Sequence, residues 1–210
     1  MPSDFPGAPT FEAGESPFRG KGLIYLGSQE FAEKHLPGGW AAVLEQLRAH
    51  PALVRFLEQR FLAASWYDAL PMAHVTRAGA RAAGTSFASF SRRRAEWQAE
   101  HDAHGVYRTL LRLTSPDVVV ERIVRLTPQI FEFGTTTFER LGDKHFRVTR
   151  GGVPLPLVDW YTAMSEPYSL RLLTLSGAQQ PVFRSDAVAP PDAIEHGMPT
   201  KTIAYEASWL

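Results

Sequence analysis

The chain contains no cysteine. That single absence removes disulfides, thiolate nucleophiles, cysteine zinc sites and cysteine ligation of haem. Charge of one sign is also missing in excess: 22 Lys+Arg against 22 Asp+Glu give a formal net charge of zero. Nucleic-acid and anionic-membrane binders usually carry a basic excess, so neither partner is expected. The local run Arg92-Arg93-Arg94 reads as a solvated helix face. No apolar stretch approaches the ~18 residues of a membrane span. The opening Met1-Pro-Ser-Asp-Phe-Pro-Gly lacks the basic start and apolar stretch of a secretory signal, which makes a cytoplasmic location the expectation. There is no Gly-x-Ser-x-Gly, no Gly-x-Gly-x-x-Gly before a helix and no phosphate loop.

What is present suits one domain. Over 210 residues, 44% are hydrophobic, enough for a sizeable core without staples. Residues 1–20, dense in proline and glycine, read as a flexible arm that Phe5, Phe11 and Phe18 could pin to the body; residues 21–210 read as a single domain. Gly22–Leu26 reads as a strand or extended segment, and Ser28 as the N-cap of a first helix. Helical spacing follows in Trp40, Val43, Leu44 and Leu47, and then from Pro51 through Arg60 and Phe61. Trp66-Tyr67-Asp68 falls in a loop, ahead of a small-residue helix from Met72 to Ala83. A longer helix, capped by Gly84-Thr85-Ser86, carries Phe87, Phe90, Arg94 and Trp97 towards His101. Ser115-Pro116 is a cap followed by a first-turn proline, and Thr127-Pro128 repeats the signal.

The period then changes. Thr135–Leu141, Gly142-Asp143-Lys144 and His145–Arg150 read as a hairpin. A helix follows over Leu157–Leu175, disturbed by Pro167. Closing strands are expected around Pro181–Asp186 and Thr202–Trp209, with a polar loop between them. Helices first, then strands, give an α+β class: an N-terminal helical half packed on a C-terminal antiparallel sheet with one crossing helix.

The densest chemistry lies at His101-Asp102-Ala-His104-Gly-Val-Tyr107-Arg108. Three readings stay open. The histidines can serve a helix end, where imidazolium suits the negative pole. The cluster can wall a ligand site. Or it can catalyse, with His101 as base, Asp102 as its orienter and Tyr107 or Arg108 as electrophilic aid. His104 and Arg108 are also candidate ligand contacts, Arg108 through its two-point grip on a carboxylate. A metal at His101 and His104 would need a third ligand from His74, His145, His196, Asp159 or Glu195, none of which has a spacing signal, so no metal site is assigned. Trp66 and Tyr67 suit either a pocket mouth or a core edge, and Trp160 has the same ambiguity. Phe131 and Phe133 read as core, with Phe133 also a candidate wall of the pocket.

Lys21-Gly22-Leu23, Phe61-Leu-Ala-Ala-Ser-Trp66-Tyr67, Gly105-Val-Tyr107-Arg108, the Ser115-Pro116 helix, Phe131-Glu-Phe-Gly134 and the closing Tyr205-Glu-Ala-Ser-Trp209 stand in an order that resembles an uncharacterised family found in myxobacteria. The layout is also similar to a wider superfamily of ligand-binding domains: the haem nitric-oxide sensors, the 4-vinyl reductase domains and the TRAPP vesicle-tethering subunits. The resemblance covers most of residues 21–210. It implies an α+β domain that holds an apolar small molecule, a haem or an acyl chain between helices and sheet, and that can form a homodimer. Two departures count against carrying over haem or metal. The cysteine-containing ending of the vinyl-reductase-like domains is absent. The sensors' Tyr-x-Ser-x-Arg motif has only Tyr168-Ser169-Leu170-Arg171 as a counterpart, with the wrong spacing. The expectation is therefore a small-molecule-binding, sensor-like domain with no cofactor. A cofactor-independent isomerase, cyclase or dehydratase using the same pocket, and a protein-interaction subunit, are the alternatives.

Overall fold

The computed structural model describes residues 11–104, 115–185 and 191–210. Proline and serine set the helix starts. Pro51 opens α3 (Pro51–Glu58), Pro71 opens α4 (Pro71–Ala82) and Pro116 opens α6 (Pro116–Ile130), where a proline forfeits no intrahelical bond. Ser115 Oγ accepts from Val118 N (3.5 Å), and Ser86 Oγ accepts from Ser89 N (3.2 Å) ahead of α5 (Phe87–His104). With α1 (Leu23–His35), α2 (Gly39–Glu45) and α7 (Val158–Leu175), seven α-helices are described.

Two sheets complete the fold. The strands β1 (Arg19–Lys21) and β2 (Trp66–Asp68) pair antiparallel, Gly20 opposite Tyr67. The larger sheet runs β3 (Thr135–Gly142), β4 (His145–Pro154), β7 (Met198–Ser208), β5 (Val182–Ser185), with β6 (Ala193–Glu195) also paired to β7. All of its pairings are antiparallel. The chain leaves β4, crosses as α7 and re-enters the sheet at β5. α7 packs on α5, which joins the helical half to the sheet half. This is the α+β arrangement expected, helices mostly N-terminal and an antiparallel sheet C-terminal. Among the described residues no helix is long and apolar enough to cross a membrane.

Several local expectations are corrected. Gly22–Leu26 is not a strand: α1 begins at Leu23, because Tyr25, Ser28, Phe31 and Ala32 recur at helical spacing and are buried. Ser28 is therefore inside the helix rather than at its cap, its hydroxyl donating to Ile24 O (2.9 Å). Trp66-Tyr67-Asp68 is strand β2, not a loop, because β1 supplies its partner. α3 stops at Glu58, so Phe61 packs from beyond it, stacked on Tyr25 at 4.3 Å. Thr127-Pro128 starts no helix. Thr127 Oγ1 donates to Ile123 O (2.7 Å) and Pro128 sits within α6, near its end. The expected polar loop contains β6. Within the stretch expected as an arm, Phe18 is fully buried against Phe133 (5.8 Å) and Ser16 is buried on Asp68.

Candidate functional site

Helix α5 has two faces. Arg92 and Arg93 are exposed, as a solvated face requires, but Arg94 is not: it retains 6% exposure. The expectation that all three arginines are solvated is corrected for this one. Arg94 lies four residues after Phe90 and three before Trp97, on the side of the helix that packs inward. Continuing in steps of four, Gln98 and Asp102 join it in lining a cavity of about 410 Å³ between the helices and the large sheet. That volume is in the range of small-molecule sites, roughly 300–1,000 Å³.

The wall is chiefly apolar, with Met72 from α4, Ile123, Leu126 and Ile130 from α6, Val148 from β4 and Met164 from α7. Its rim reaches the exposed residues Ala63, Ala64 and Gln129, beside Lys21. Lys21 Nζ donates to Ala64 O (2.7 Å) and lies 3.7 Å from the Trp66 ring centre.

Two polar groups interrupt the apolar wall. The first is built on α5. Asp102, 9% exposed, accepts from Gln98 Nε2 (2.5 Å) and from Tyr168 Oη of α7 (3.0 Å). Burial pushes its carboxyl above the usual carboxylate range, with Gln98, Tyr168, Arg94 and His101 pulling the other way. Arg94 Nη2 donates to Ser28 Oγ at 3.5 Å, a long bond, while Nε and Nη1 have no partner. Desolvation lowers its guanidinium to about 10 against support from Asp102, Glu30 and Tyr168. No ion pair within 4.0 Å joins Arg94 to Asp102 or Glu30; beyond Ser28, its guanidinium lies 5.5 Å from the Trp97 ring centre and 5.9 Å from that of Phe31. Gly27 makes this approach to α1 feasible, since a Cβ there would lie 2.5 Å from Gln98 Oε1 and 2.8 Å from Arg94 Nη2.

The second polar group gathers Arg150 of β4 with Thr127, Tyr161 and Tyr205. Arg150 is tied down: Nη2 donates to Phe133 O (2.5 Å) and Nη1 to Thr136 Oγ1 (3.2 Å). Burial pushes the Tyr161 and Tyr205 hydroxyls upward.

The raised Asp102 carboxyl has a consequence for stability. In the window between the ordinary carboxylate value and the raised one, the folded state holds a proton that the unfolded chain has released. Asp102 therefore makes stability decline as pH rises through that window. We expect the free-energy difference between the wild type and Asp102→Asn to slope there, the wild type losing ground as pH rises. A flat difference in urea unfolding across mildly acidic pH would refute this.

The residues singled out from the sequence are distributed unevenly. Asp102 and Trp160 line the cavity. His101 is not among its described lining residues; it stacks on Trp97 (5.0 Å), with Nε2 3.8 Å from Glu30 and the side chain 44% exposed. His104 is exposed and its Nδ1 sits 2.8 Å from Glu100 O. Trp66 backs the rim behind Lys21. Tyr67 packs on Phe61, its hydroxyl accepting from Leu62 N (3.0 Å). Phe133 is buried between Phe18 and Phe131, outside the wall. Tyr107 and Arg108 lie outside the described residues. Among those described, no three His, Asp or Glu side chains gather as a metal site.

No protein-family model matches the chain, and no curated protein is significantly similar to it. Solved structures are similar. An oxygen-binding H-NOX domain related to soluble guanylate cyclases, in its oxygen complex, superposes with a TM-score of 0.63 at 7% identity, over 90% of this chain and 94% of that one. The I5F mutant of T. tengcongensis H-NOX gives 0.60 at 7%, over 90% and 97%. A structure probing haem distortion in the H-NOX family gives 0.60 at 6%, over 89% and 93%. The fold is thus that of the H-NOX domains, the haem nitric-oxide sensors.

Whether a haem suits this cavity turns on the iron ligand. Haem proteins use a histidine, a cysteine thiolate, a tyrosine, or methionine paired with histidine. Among the described lining residues there is no histidine, and the chain has no cysteine. Tyrosine ligation requires a phenolate, which burial disfavours at Tyr161 and Tyr205, while the Tyr168 hydroxyl donates its proton to Asp102. Met72 and Met164 have no histidine to complete a pair. The described donor set does not fit a haem.

Proposed function

We propose that this domain is a small-molecule receptor, sensor-like in design, that encloses an apolar or aromatic ligand between its helices and its sheet. The observation that carries the reading is the cavity of about 410 Å³ with a wall drawn from both halves of the fold. A ligand held there touches α4, α5, α6, α7 and the sheet together, so occupancy is felt across the molecule. The H-NOX structures lend support through their shared fold. A homodimer in the cytoplasm belongs to the same proposal, and sedimentation of the purified protein tests the dimer. The catalytic alternative would draw on Asp102 and Tyr168 of this cavity rather than on His101.

The test is thermal unfolding against lipids, porphyrins and aromatic metabolites. A ligand present at a hundred times its Kd adds about 2.7 kcal/mol, or roughly 5–10 °C for a chain of this size. Leu126→Trp, which fills part of the cavity from α6, should abolish that shift while leaving a cooperative transition. No shift with any compound, or an equal shift in Leu126→Trp, would sink the reading.

A further inference from the structure

We infer that the cavity's ligand is an amphipathic monoanion whose oxyanion head, a carboxylate in the first instance, is taken by Arg94. The inference rests on the small-molecule reading above and specifies the ligand's chemistry. Arg94 is more than nine-tenths buried, lines the cavity and presents donors on Nε and Nη1 that meet no acceptor. Its one hydrogen bond, to Ser28 Oγ, is 3.5 Å long. A guanidinium has five donors and no means of accepting, so an oxyanion entering the cavity is the kind of group that would satisfy it.

The internal candidate is already engaged. Asp102 is held by Gln98 on one oxygen and by Tyr168 on the other, and although its charge supports Arg94 it forms no ion pair with it within 4.0 Å. Arg150, the other buried guanidinium of the wall, differs in kind: two of its nitrogens are anchored to Phe133 O and Thr136 Oγ1. Arg94 has only the long bond from Nη2 to Ser28 beside the Trp97 and Phe31 rings, and its buried Nε and Nη1 meet no acceptor.

The apolar part of the wall describes the body of the ligand. Met72, Ile123, Leu126 and Met164 offer no hydrogen bonds of consequence, so the portion away from the head is hydrocarbon or an aromatic ring. Methionines and aliphatic side chains adapt to chain or ring alike. One head and one apolar body describe a medium-chain fatty acid or an arylalkanoic acid better than a sugar, a nucleotide or a dianion.

Matched pairs test this: the saturated carboxylates from octanoate to palmitate and phenylbutyrate, each against the primary alcohol of the same skeleton. Binding is read by calorimetry and by the change in tryptophan fluorescence, to which Trp160 in the wall contributes. In the wild type a carboxylate should bind about tenfold or more tighter than its alcohol, the scale of a charge-assisted bond. In Arg94→Met and Arg94→Gln the carboxylate should fall to the alcohol's affinity, with the alcohol itself changed by less than about threefold. Arg94→Gln keeps a polar tip for Ser28 and guards against a folding artefact, and a cooperative thermal transition in either variant confirms a folded protein. Equal binding of acid and alcohol by the wild type, or a preference that survives both substitutions, overturns the inference and leaves the small-molecule reading standing. If no member of any pair binds the wild type, this inference falls, and the small-molecule reading is decided by the wider panel of lipids, porphyrins and aromatic metabolites.

Discussion

Asp68→Ala should destabilise the protein by about 3 kcal/mol, the cost of stranding several buried donors at once. The residue is 3% exposed, and its carboxylate ties residues 14–16 to the turn at Leu70. Oδ1 accepts from Ser16 Oγ (2.5 Å) and Leu70 N (2.9 Å), and Oδ2 from Gly14 N (3.0 Å) and Ser16 N (3.3 Å). Its own carbonyl accepts from Tyr25 Oη (2.5 Å), which alanine would retain. Removing the carboxylate leaves the amides of Gly14 and Ser16 without an acceptor and releases the turn into α4. Asp68→Asn keeps one acceptor oxygen but turns an amide N–H₂ towards donors, so it should be affected almost as strongly. Urea unfolding measures both; a loss below about 1 kcal/mol for alanine would show that this cluster is not the tie it looks to be. Because β2 pairs with β1, whose Lys21 stands at the cavity rim, ligand affinity should weaken alongside stability.

Gly134→Ala should cost at least about 3 kcal/mol, and Gly84→Ala only about 1 kcal/mol, although both glycines have positive φ, +67° and +62°. A Cβ at Gly84 meets nothing within 4 Å. At Gly134 it would sit 2.2 Å from the carbonyl oxygen of Gly151 and 3.3 Å from the Arg150 guanidinium. Gly84→Ala thus reports the conformational cost alone. The excess at Gly134 reports the separation of β3 from β4 and the displacement of Arg150 from Phe133 O. Equal losses at the two positions would mean that the strand pair yields without strain.

How far the sequence could be read follows from how local each signal is. Ser115-Pro116 declares α6 because the cap acts within three residues. Gly142-Asp143-Lys144 declares the hairpin because Lys144 takes a positive φ of 53° in its turn. The Thr127-Pro128 signal misled because a proline near a helix end forfeits little when the preceding turn already has its bonds. β6 escaped because three residues carry no period, and β2 because its partner lies more than forty residues away.

The site was half visible. Asp102 stood out through the local density of polar residues, but Tyr168, its partner on α7, is 66 residues distant. Arg94 was hidden by its neighbours: a run of three arginines looks solvated, and only its spacing from Phe90 and Trp97 separates one from the other two. His101 had the chemistry and the wrong face, since its ring lies along Trp97 and towards Glu30.

Strand β7 pairs with β4, β5 and β6, and it is the last of the sheet strands in chain order. During synthesis the helical half and the β3–β4 hairpin can form from neighbouring residues, but the sheet has no centre until β7 leaves the ribosome. Tyr205 of β7 and Phe183 of β5 complete the cavity wall. The binding chamber therefore gains its full wall only when β7 joins the strands and helices that precede it in the chain. A chain lacking β7 would leave the apolar residues of the wall without their cover, the kind of surface that invites misassembly.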